Sequence, residues 1–516
     1  MSKFYLGLTI GPIVRTLQSV RRTNDLWAAS YLFSYIMKQI VKALRQEHTF
    51  LIPYVKDESL FKEDLGVGLF PDRFILSSDE SQLVAVKQLA DKTLAKFLND
   101  VDPSVLAWAK DYFKLYVVEI KETSEKAAVL TLGQLLDVAE MQPTFPHGSD
   151  DAALARFISK TIEKGEKGIL LKDAFGDDPN KIPMITEIAT RGLIGTSTHK
   201  ESLYKSIIYK EGEKDSDIMK LLKQTFNDHF KTYHKYMAII FADGDRIGET
   251  IQSLKEGEFD KFSKCLFDFG QEAKKIINDY QGTPVYIGGD DLLMFAPVVN
   301  GKNEHILDLV QELNTAFKKA FIGFEVKPTL SFGVSIAYYK YPLRESLKTA
   351  IDLIYEGKNR FDIEDKKSPY HKNALCLRVM KHSGSFYDVR VPLGSDFSTL
   401  MSEILKGMSD NPKKFLNSVT YNLRSSAKLF EVIGNDRTRL ANYFANNYDE
   451  KVHQGSDKEI LFNNAAGLLI NGMTIEAEIS KNRVKEFQSD DKTRNNDAIR
   501  NVYSSLRLFK FLKGIE

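Results

Sequence analysis

The stretch Pro284-Val285-Tyr286-Ile287-Gly288-Gly289-Asp290-Asp291-Leu292-Leu293-Met294-Phe295 decides the fold. Two apolar runs meet across two glycines and two carboxylates, which reads as a β-hairpin with adjacent acids at its tip. Gly288 and Gly289 let the backbone turn and leave room for a phosphate chain to approach. Asp290 and Asp291 repel each other strongly unless a divalent cation sits between them. An ordinary solvated turn uses the same residue types, so the hairpin points to chemistry only if a second acidic group meets it.

That group lies upstream. Tyr236-Met237-Ala238-Ile239-Ile240-Phe241 reads as a buried strand and ends in Ala242-Asp243-Gly244-Asp245. A helical stretch follows from about 247 to 280, broken near Gly257. After the hairpin come a helix at about 303–320 and a strand at about 329–337. The order is βαββαβ, the ferredoxin-like arrangement. Its first strand and its hairpin lie side by side at the sheet centre. Asp243 is therefore expected to converge with Asp290 and Asp291 on two cations, Mg²⁺ or Mn²⁺, suited to metal-assisted transfer of a nucleotidyl group. Gly244 and the start of the following helix would offer N–H groups to phosphate oxygens. Asp245 would either serve the second metal indirectly or cap that helix.

The bulk numbers restrict the surroundings. A chain of 516 residues predicts three or four domains, and 43% hydrophobic with 27% charged residues is ordinary for a soluble protein. A net charge of +1 excludes a global basic field, so RNA contacts would use local patches. No apolar run reaches membrane-spanning length, and the start Met-Ser-Lys-Phe-Tyr is no signal peptide. The two cysteines, Cys265 and Cys376, form no C-x-x-C pair, which excludes a four-cysteine zinc site within the chain and fits a reducing cytoplasm. None of the nine histidines is followed by Asp, so a histidine-aspartate nuclease centre is not visible.

The N-terminal part repeats the same order in degenerate form. Strands are expected at 4–10, 50–55, near 69–76 and at 113–120, with helices between, the second of them capped by Asn24 or Asp25 and a later one at about 79–98. This copy lacks the acids: Thr9-Ile10-Gly11 stands for Asp243-Gly244-Asp245, and Gly68-Leu69-Phe70-Pro71-Asp72 for the acidic tip. The expected fold class is α+β, with two ferredoxin-like (βαββαβ) palm domains separated by a helical domain and followed by a C-terminal helical domain. The divisions are 1–122 (first palm, acid-poor), 123–230 (helical insertion, with loops at 142–151 and 176–183), 231–385 (second palm) and 386–516. The polar stretch 481–500 reads as a solvated helical face or as a docking surface for protein or RNA.

At these residues the chain resembles a known family, the large polymerase/cyclase-like subunit of type III CRISPR effector complexes, of the Cmr type. Three places carry the resemblance. Gly11-Pro12 is followed by Arg22-Thr23-Asn24-Asp25-Leu26-Trp27-Ala28-Ala29-Ser30-Tyr31-Leu32, similar to the family's Asp-Leu-Trp-x-Gly-Ser-Tyr segment. The acidic pair of motifs is the second. Leu330-Ser331-Phe332-Gly333-Val334-Ser335, running on to Tyr341-Pro342-Leu343, is the third. Ala29 replaces the family's glycine, and Val14 stands where many members carry Gln. The chain starts directly at the first palm, so it is expected to lack the HD nuclease domain and DNA cleavage, and the family's zinc cysteines are absent.

The resemblance implies an antiviral subunit that works in the cytoplasm with the other Cmr-type subunits, a guide RNA and a target RNA, and with no membrane. Target RNA would switch on synthesis of a second messenger, cyclic oligoadenylate, from ATP. Some family members instead join an adenylyl group to S-adenosylmethionine. The resemblance also places Lys358 as a triphosphate contact, against the plainer reading of a solvated Lys at a helix end; Ser331 is a candidate to touch a base or ribose, against the plainer reading of a buried strand hydroxyl. Trp27 and Tyr31, four apart on one helix, read as core rather than as a stacking platform. Two rival functions are a free-standing nucleotide cyclase, active without RNA, and a catalytically silent scaffold.

Overall fold

The computed structural model describes residues 2–62, 66–101, 106–141, 151–162, 168–175, 182–195, 198–210, 213–408, 412–434, 436–446, 458–482 and 491–515. Most of the two expected loops at 142–151 and 176–183, and the middle of 481–500, lie outside these residues.

Among the described residues ten strands form two sheets. They are β1 (Lys3–Gly11), β2 (Thr49–Ile52), β3 (Arg73–Ser78), β4 (Lys114–Glu122), β5 (Tyr236–Asp245), β6 (Thr283–Gly288), β7 (Asp291–Pro297), β8 (Thr329–Tyr338), β9 (Ala374–Met380) and β10 (Phe386–Pro392). The first sheet runs β2-β3-β1-β4, and within the second the order β8-β5-β7-β6 repeats it. Both match the spatial order of a βαββαβ unit, whose first strand lies between the third and the fourth. The helical stretch after β5 is broken where Gly257 turns with φ +81°, leaving helices Ile247–Ser253 and Phe259–Asp279.

β5 shows why its sequence is apolar without alternation. Met237 and Ile239 enter a core shared with the first-palm helix Thr23–Leu44, whereas Ala238, Ile240 and Ala242 enter the core beneath the second palm's own helices. A central strand covered on both faces has no polar side to display.

The two palms are stitched at the edge strand β6. Ile287 N–H donates to the Gly68 carbonyl at 3.1 Å, and the Ser30 hydroxyl donates to the Val285 carbonyl at 3.2 Å. Ser30 belongs to helix Thr23–Leu44, so the N-terminal motif is a scaffold. Trp27 and Tyr31 are core, as read: their rings stack at 4.8 Å, Trp27 donates to Gly66 O, and Tyr31 donates to Asp173 at 2.6 Å. The helix begins two or three residues earlier than expected, at Thr23 after Arg22, and no side chain caps it. Thr23 instead donates to Pro183 O at 2.8 Å.

The structure departs from the sequence divisions twice. Helix Glu125–Glu140, assigned to the insertion, lies on the first sheet, where Leu132 and Leu136 sit one turn apart and bury against Gly7. Residue 386 does not open a helical region. Tyr387, Val389 and Val391 alternate inward along β10, which extends the second sheet. The backbone of this new edge is closed by Asn501, which accepts from Arg390 N–H at 2.9 Å and donates to Arg390 O at 2.8 Å. The remaining C-terminal helices pack on one another and on the palm through Leu468, Val502, Leu506 and Phe509. No described helix is long and apolar enough to cross a membrane.

Candidate active site

β6 and β7 are joined by a two-residue turn, Gly289-Asp290, because Gly288 pairs with Asp291. Gly289 has φ +68° and Asp290 does not share the left-handed region. That pattern requires Gly at the first turn position. On the neighbouring strand Ala242 pairs with Leu292, so Asp243 comes next, opposite Asp291. A Cβ at Gly244 would lie 2.6 Å from Asp290 Oδ2 and 2.8 Å from its Cβ. Any side chain at 244 would displace the Asp290 carboxylate.

The acids feel one another. Burial, and then the charge of Asp243, pushes the Asp290 pKa up to about 6. Burial followed by Asp290 and Asp243 holds Asp291 well above the ordinary carboxylate range. Like charges at short range have this effect, and a cation reverses it. Lys358 supplies part of the compensation. Its ammonium pairs with Asp243, donates to Gly244 O at 2.8 Å and stands 3.7 Å from Asp245 Oδ1. Burial opposes the lysine's charge, yet Asp243 and Asp245 outweigh it and raise its pKa.

Other expected residues have different work. Asp245 is 1% exposed, and its Oδ2 accepts from Ser331 at 2.7 Å, Asn373 N–H at 2.9 Å and Thr329 at 3.0 Å. It anchors β5 to β8 and to the start of β9, and it caps no helix. Helix Ile247–Ser253 starts after Arg246 with no side-chain cap. The Ser331 hydroxyl donates to Asp245 and accepts from Ala374 N–H at 3.0 Å, so it faces the sheet interior rather than a ligand. The space above Gly288 is filled by the Tyr286 phenol, whereas Gly289 faces open space. No three His, Cys, Asp or Glu side chains draw together as a metal cluster among the described residues. Asp243 and Asp290 flank Gly244, and Asp291 feels the charges of both. A pair still fits Mg²⁺, which takes one or two carboxylates and completes its shell with water and phosphate oxygens.

The first palm faces this pair and is less acid-poor than its sequence suggests. Asp72 lines two cavities, of about 580 and 320 Å³, that meet at Asp291. Arg73 sits 3.9 Å from Asp72, bonds Asp137 at 2.8 Å and Glu140 at 3.2 Å, and Glu140 also accepts from Thr9. Burial raises the Asp72 pKa despite Arg73. Asp137 and Glu140 escaped the sequence reading because they come from the helix after β4. Their i, i+3 spacing, which puts both on one helix face, was the available signal. The larger cavity is walled mainly by apolar groups from both palms, among them Tyr54, Val129, Ile251 and Phe267.

The comparisons with known proteins agree with this geometry. A model of the Cas10/Cmr2 second palm domain matches residues 236–367, and a model of the CRISPR-associated protein Cmr2 N-terminal region matches residues 5–110. The CRISPR system Cmr subunit Cmr2 of Pyrococcus furiosus is 27% identical over 224 residues, 37% of this chain and 24% of that relative. The match therefore spans about a quarter of the relative's length. Among solved structures, the type III-B Cmr-beta complex in its apo state contains a chain similar to 100% of this one, with 82% of its own length covered, a TM-score of 0.59 and 12% identity. The Csm1–Csm4 cassette in complex with cA4 gives a TM-score of 0.54 at 11% identity, covering 100% of this chain and 70% of that one. At such identities the likeness is one of fold. Two matched domains in the family's order, the second of them holding Asp243, Asp290 and Lys358, together with the fold match, support a Cmr-type subunit of the Cas10/Cmr2 kind.

Proposed function

We propose that this chain is the nucleotidyltransferase of a type III CRISPR effector complex, acting in the cytoplasm with partner subunits, guide RNA and target RNA. Its reaction transfers the adenylyl group of ATP to a hydroxyl acceptor, releases pyrophosphate and yields a second messenger, cyclic oligoadenylate. The observation that carries this reading is the juxtaposition of Asp243, near the end of β5, and Asp290, in the turn leading into the neighbouring strand β7, where Gly289 is left open. Folds of this kind were solved with cA4 and with pppApA in Csm1–Csm4 cassettes, at TM-scores of 0.54 and 0.53.

Asp243 and Asp290 would hold a Mg²⁺ ion, which when bound neutralises triphosphate charge and lowers the pKa of an attacking hydroxyl. The chain's own residues supply the rest. Gly289 allows close approach of the phosphates, and Lys358 stands ready as a point charge beside them. The apolar walls of the palm–palm cavities exclude water from the reacting groups. Asp245 and Ser331 hold the three strands in register so that the acid pair keeps its geometry.

One observation favours a second acceptor. Arg15 and Lys114 line only the smaller cavity, whereas along the larger one the first-palm wall carries Asp72 and Asp137, backed by Glu140, and Arg73 is already committed to them. A second triphosphate meets repulsion there, whereas a cationic acceptor such as S-adenosylmethionine does not. The test is the assembled complex with guide and matching target RNA, given labelled ATP and Mg²⁺ with and without S-adenosylmethionine, and read by mass spectrometry. Oligoadenylates from ATP alone establish the first acceptor, and a conjugate formed only with S-adenosylmethionine establishes the second. Product formed by the isolated chain without RNA would replace both with a free-standing cyclase. No product under any condition would leave a scaffold.

A further inference from the structure

Lys358 occupies the place where its own charge and a divalent cation exclude each other. The ammonium pairs with Asp243 Oδ2, takes the Gly244 carbonyl at 2.8 Å and lies 3.7 Å from Asp245 Oδ1. Asp245 Oδ1 is buried and accepts no hydrogen bond, and among the described residues Lys358 is the cation that stands beside it. The lysine reaches these oxygens from the last turn of helix Leu343–Arg360. Gly357 lets that turn lie flat on β9, since a Cβ there would stand 3.0 Å from Cys376 Sγ and 3.4 Å from Ala374 Cβ. The helix is thereby fixed, while the four-carbon stem of Lys358, with its side chain 19% exposed, keeps a path to solvent.

We propose that Lys358 is a charge latch that couples cation binding to nucleotide binding. In the nucleotide-free chain its ammonium sits on Asp243 and keeps the acid pair from holding a divalent ion alone. An arriving triphosphate offers the ammonium stronger oxygens, draws it off Asp243 and releases that carboxylate to the cation. The two ligands then bind cooperatively, and by linkage each raises the other's affinity by the same factor. The inference rests on the reading of Asp243 and Asp290 as the cation-holding pair.

The test titrates Mn²⁺ into the full chain by electron paramagnetic resonance, alone, with AMP and with a non-hydrolysable ATP analogue. A protein-free titration accounts for Mn²⁺ held by nucleotide in solution. The wild type should bind Mn²⁺ about tenfold tighter with the triphosphate analogue than without it, and AMP should give no such gain. Lys358→Met should bind Mn²⁺ about tenfold tighter than wild type without nucleotide and lose most of the coupling, whereas Lys358→Arg should keep it. Equal Mn²⁺ affinities for wild type and Lys358→Met, with coupling unchanged, would overturn the latch. Should Lys358→Met fail to fold, the wild-type contrast decides: an equal effect of AMP and the triphosphate analogue overturns it. Mn²⁺ binding that survives both Asp243→Ala and Asp290→Ala would instead show that the acid pair is not the cation site, and the latch would fall with that reading.

Discussion

The two palms share one strand order and differ in what they place at one end of the central strand pair. In the second palm Asp243 lies opposite Asp291, with Asp290 at the turn between β6 and β7. In the first palm Thr9 pairs with Arg73 and Ile10 N–H donates to Asp72 O at 3.1 Å, so Asp72 is the counterpart of Asp291, and Ile10, rather than Thr9 as expected from the sequence, is that of Asp243. The first palm has thus kept an acid at the hairpin and has an apolar residue on the central strand. A cation needs oxygens from both strands, so only the second palm offers a site. The first palm's acids are held instead by Arg73, and they form the wall that an acceptor would meet. One fold, used twice, yields a reaction centre and its opposing surface.

This contrast can be broken by substitution. The largest effect is expected from Asp243→Ala or Asp290→Ala, which should cut nucleotidyl transfer in the assembled complex by about 10³-fold or more, near 4 kcal/mol of transition-state stabilisation. Asp72→Ala should leave most of the rate and alter acceptor preference. Equal losses at Asp72 and Asp290 would erase the distinction between the palms. Next comes Asp245→Ala, which strips three donors of their buried carboxylate and should destabilise the second palm by about 2–4 kcal/mol in urea unfolding. A stability change below that of an exposed Asp would show that Asp245 is no anchor.

A smaller effect carries a sign in pH. The Asp290 pKa rises from 3.8 to about 6 on folding without metal. A raised carboxylate pKa favours folding when the group is protonated and costs stability as pH climbs through the folded value. Asp290→Asn should therefore stabilise the metal-free chain at pH 7.5, on the order of 1–2 kcal/mol after discounting for solvent at a half-buried group. The gain should fade below pH 4. A thermal melt series in which it stays constant with pH would show that ionisation of Asp290 is not its source. The smallest effect concerns the seam between palms. Ser30→Ala removes the bond to Val285 O and should cost about 0.5–1.5 kcal/mol with no change in the chemistry of the acids. A large loss of activity at full stability would make Ser30 more than a fastener.

Much of this was readable from local signals. The acidic tip, the strand before it and the break at Gly257 follow from runs, glycines and spacing, and Lys358 was placed by resemblance alone. What local signals did not convey is where a polar side chain points. Asp245 and Asp243 are two apart on one strand, yet Asp245 is sealed in the sheet by Thr329, Ser331 and Asn373, while Asp243 meets Lys358. Its partners come from 84 to 128 residues away, beyond any spacing rule. The first-palm wall was missed for the same reason, since Arg73 gathers acids from a helix 64 and 67 residues on. β10 was missed because the alternation of Tyr387, Val389 and Val391 with Asp388 and Arg390 spans too few residues to stand out beside the long helical stretch that follows.

The most direct test of the central claim exchanges the metal through the ligand. Asp290→Cys and, as the mirror, Asp72→Cys would be assembled into the complex and assayed for ATP-dependent product in Mg²⁺ and in Cd²⁺, since thiolate favours the softer ion. The account predicts that Asp290→Cys is inactive in Mg²⁺ and recovers at least about tenfold in Cd²⁺, while Asp72→Cys shows no such preference. Recovery at Asp72 rather than Asp290, or an Asp290→Cys variant fully active in Mg²⁺, would place the cation elsewhere and contradict the assignment of the second palm as the reaction centre.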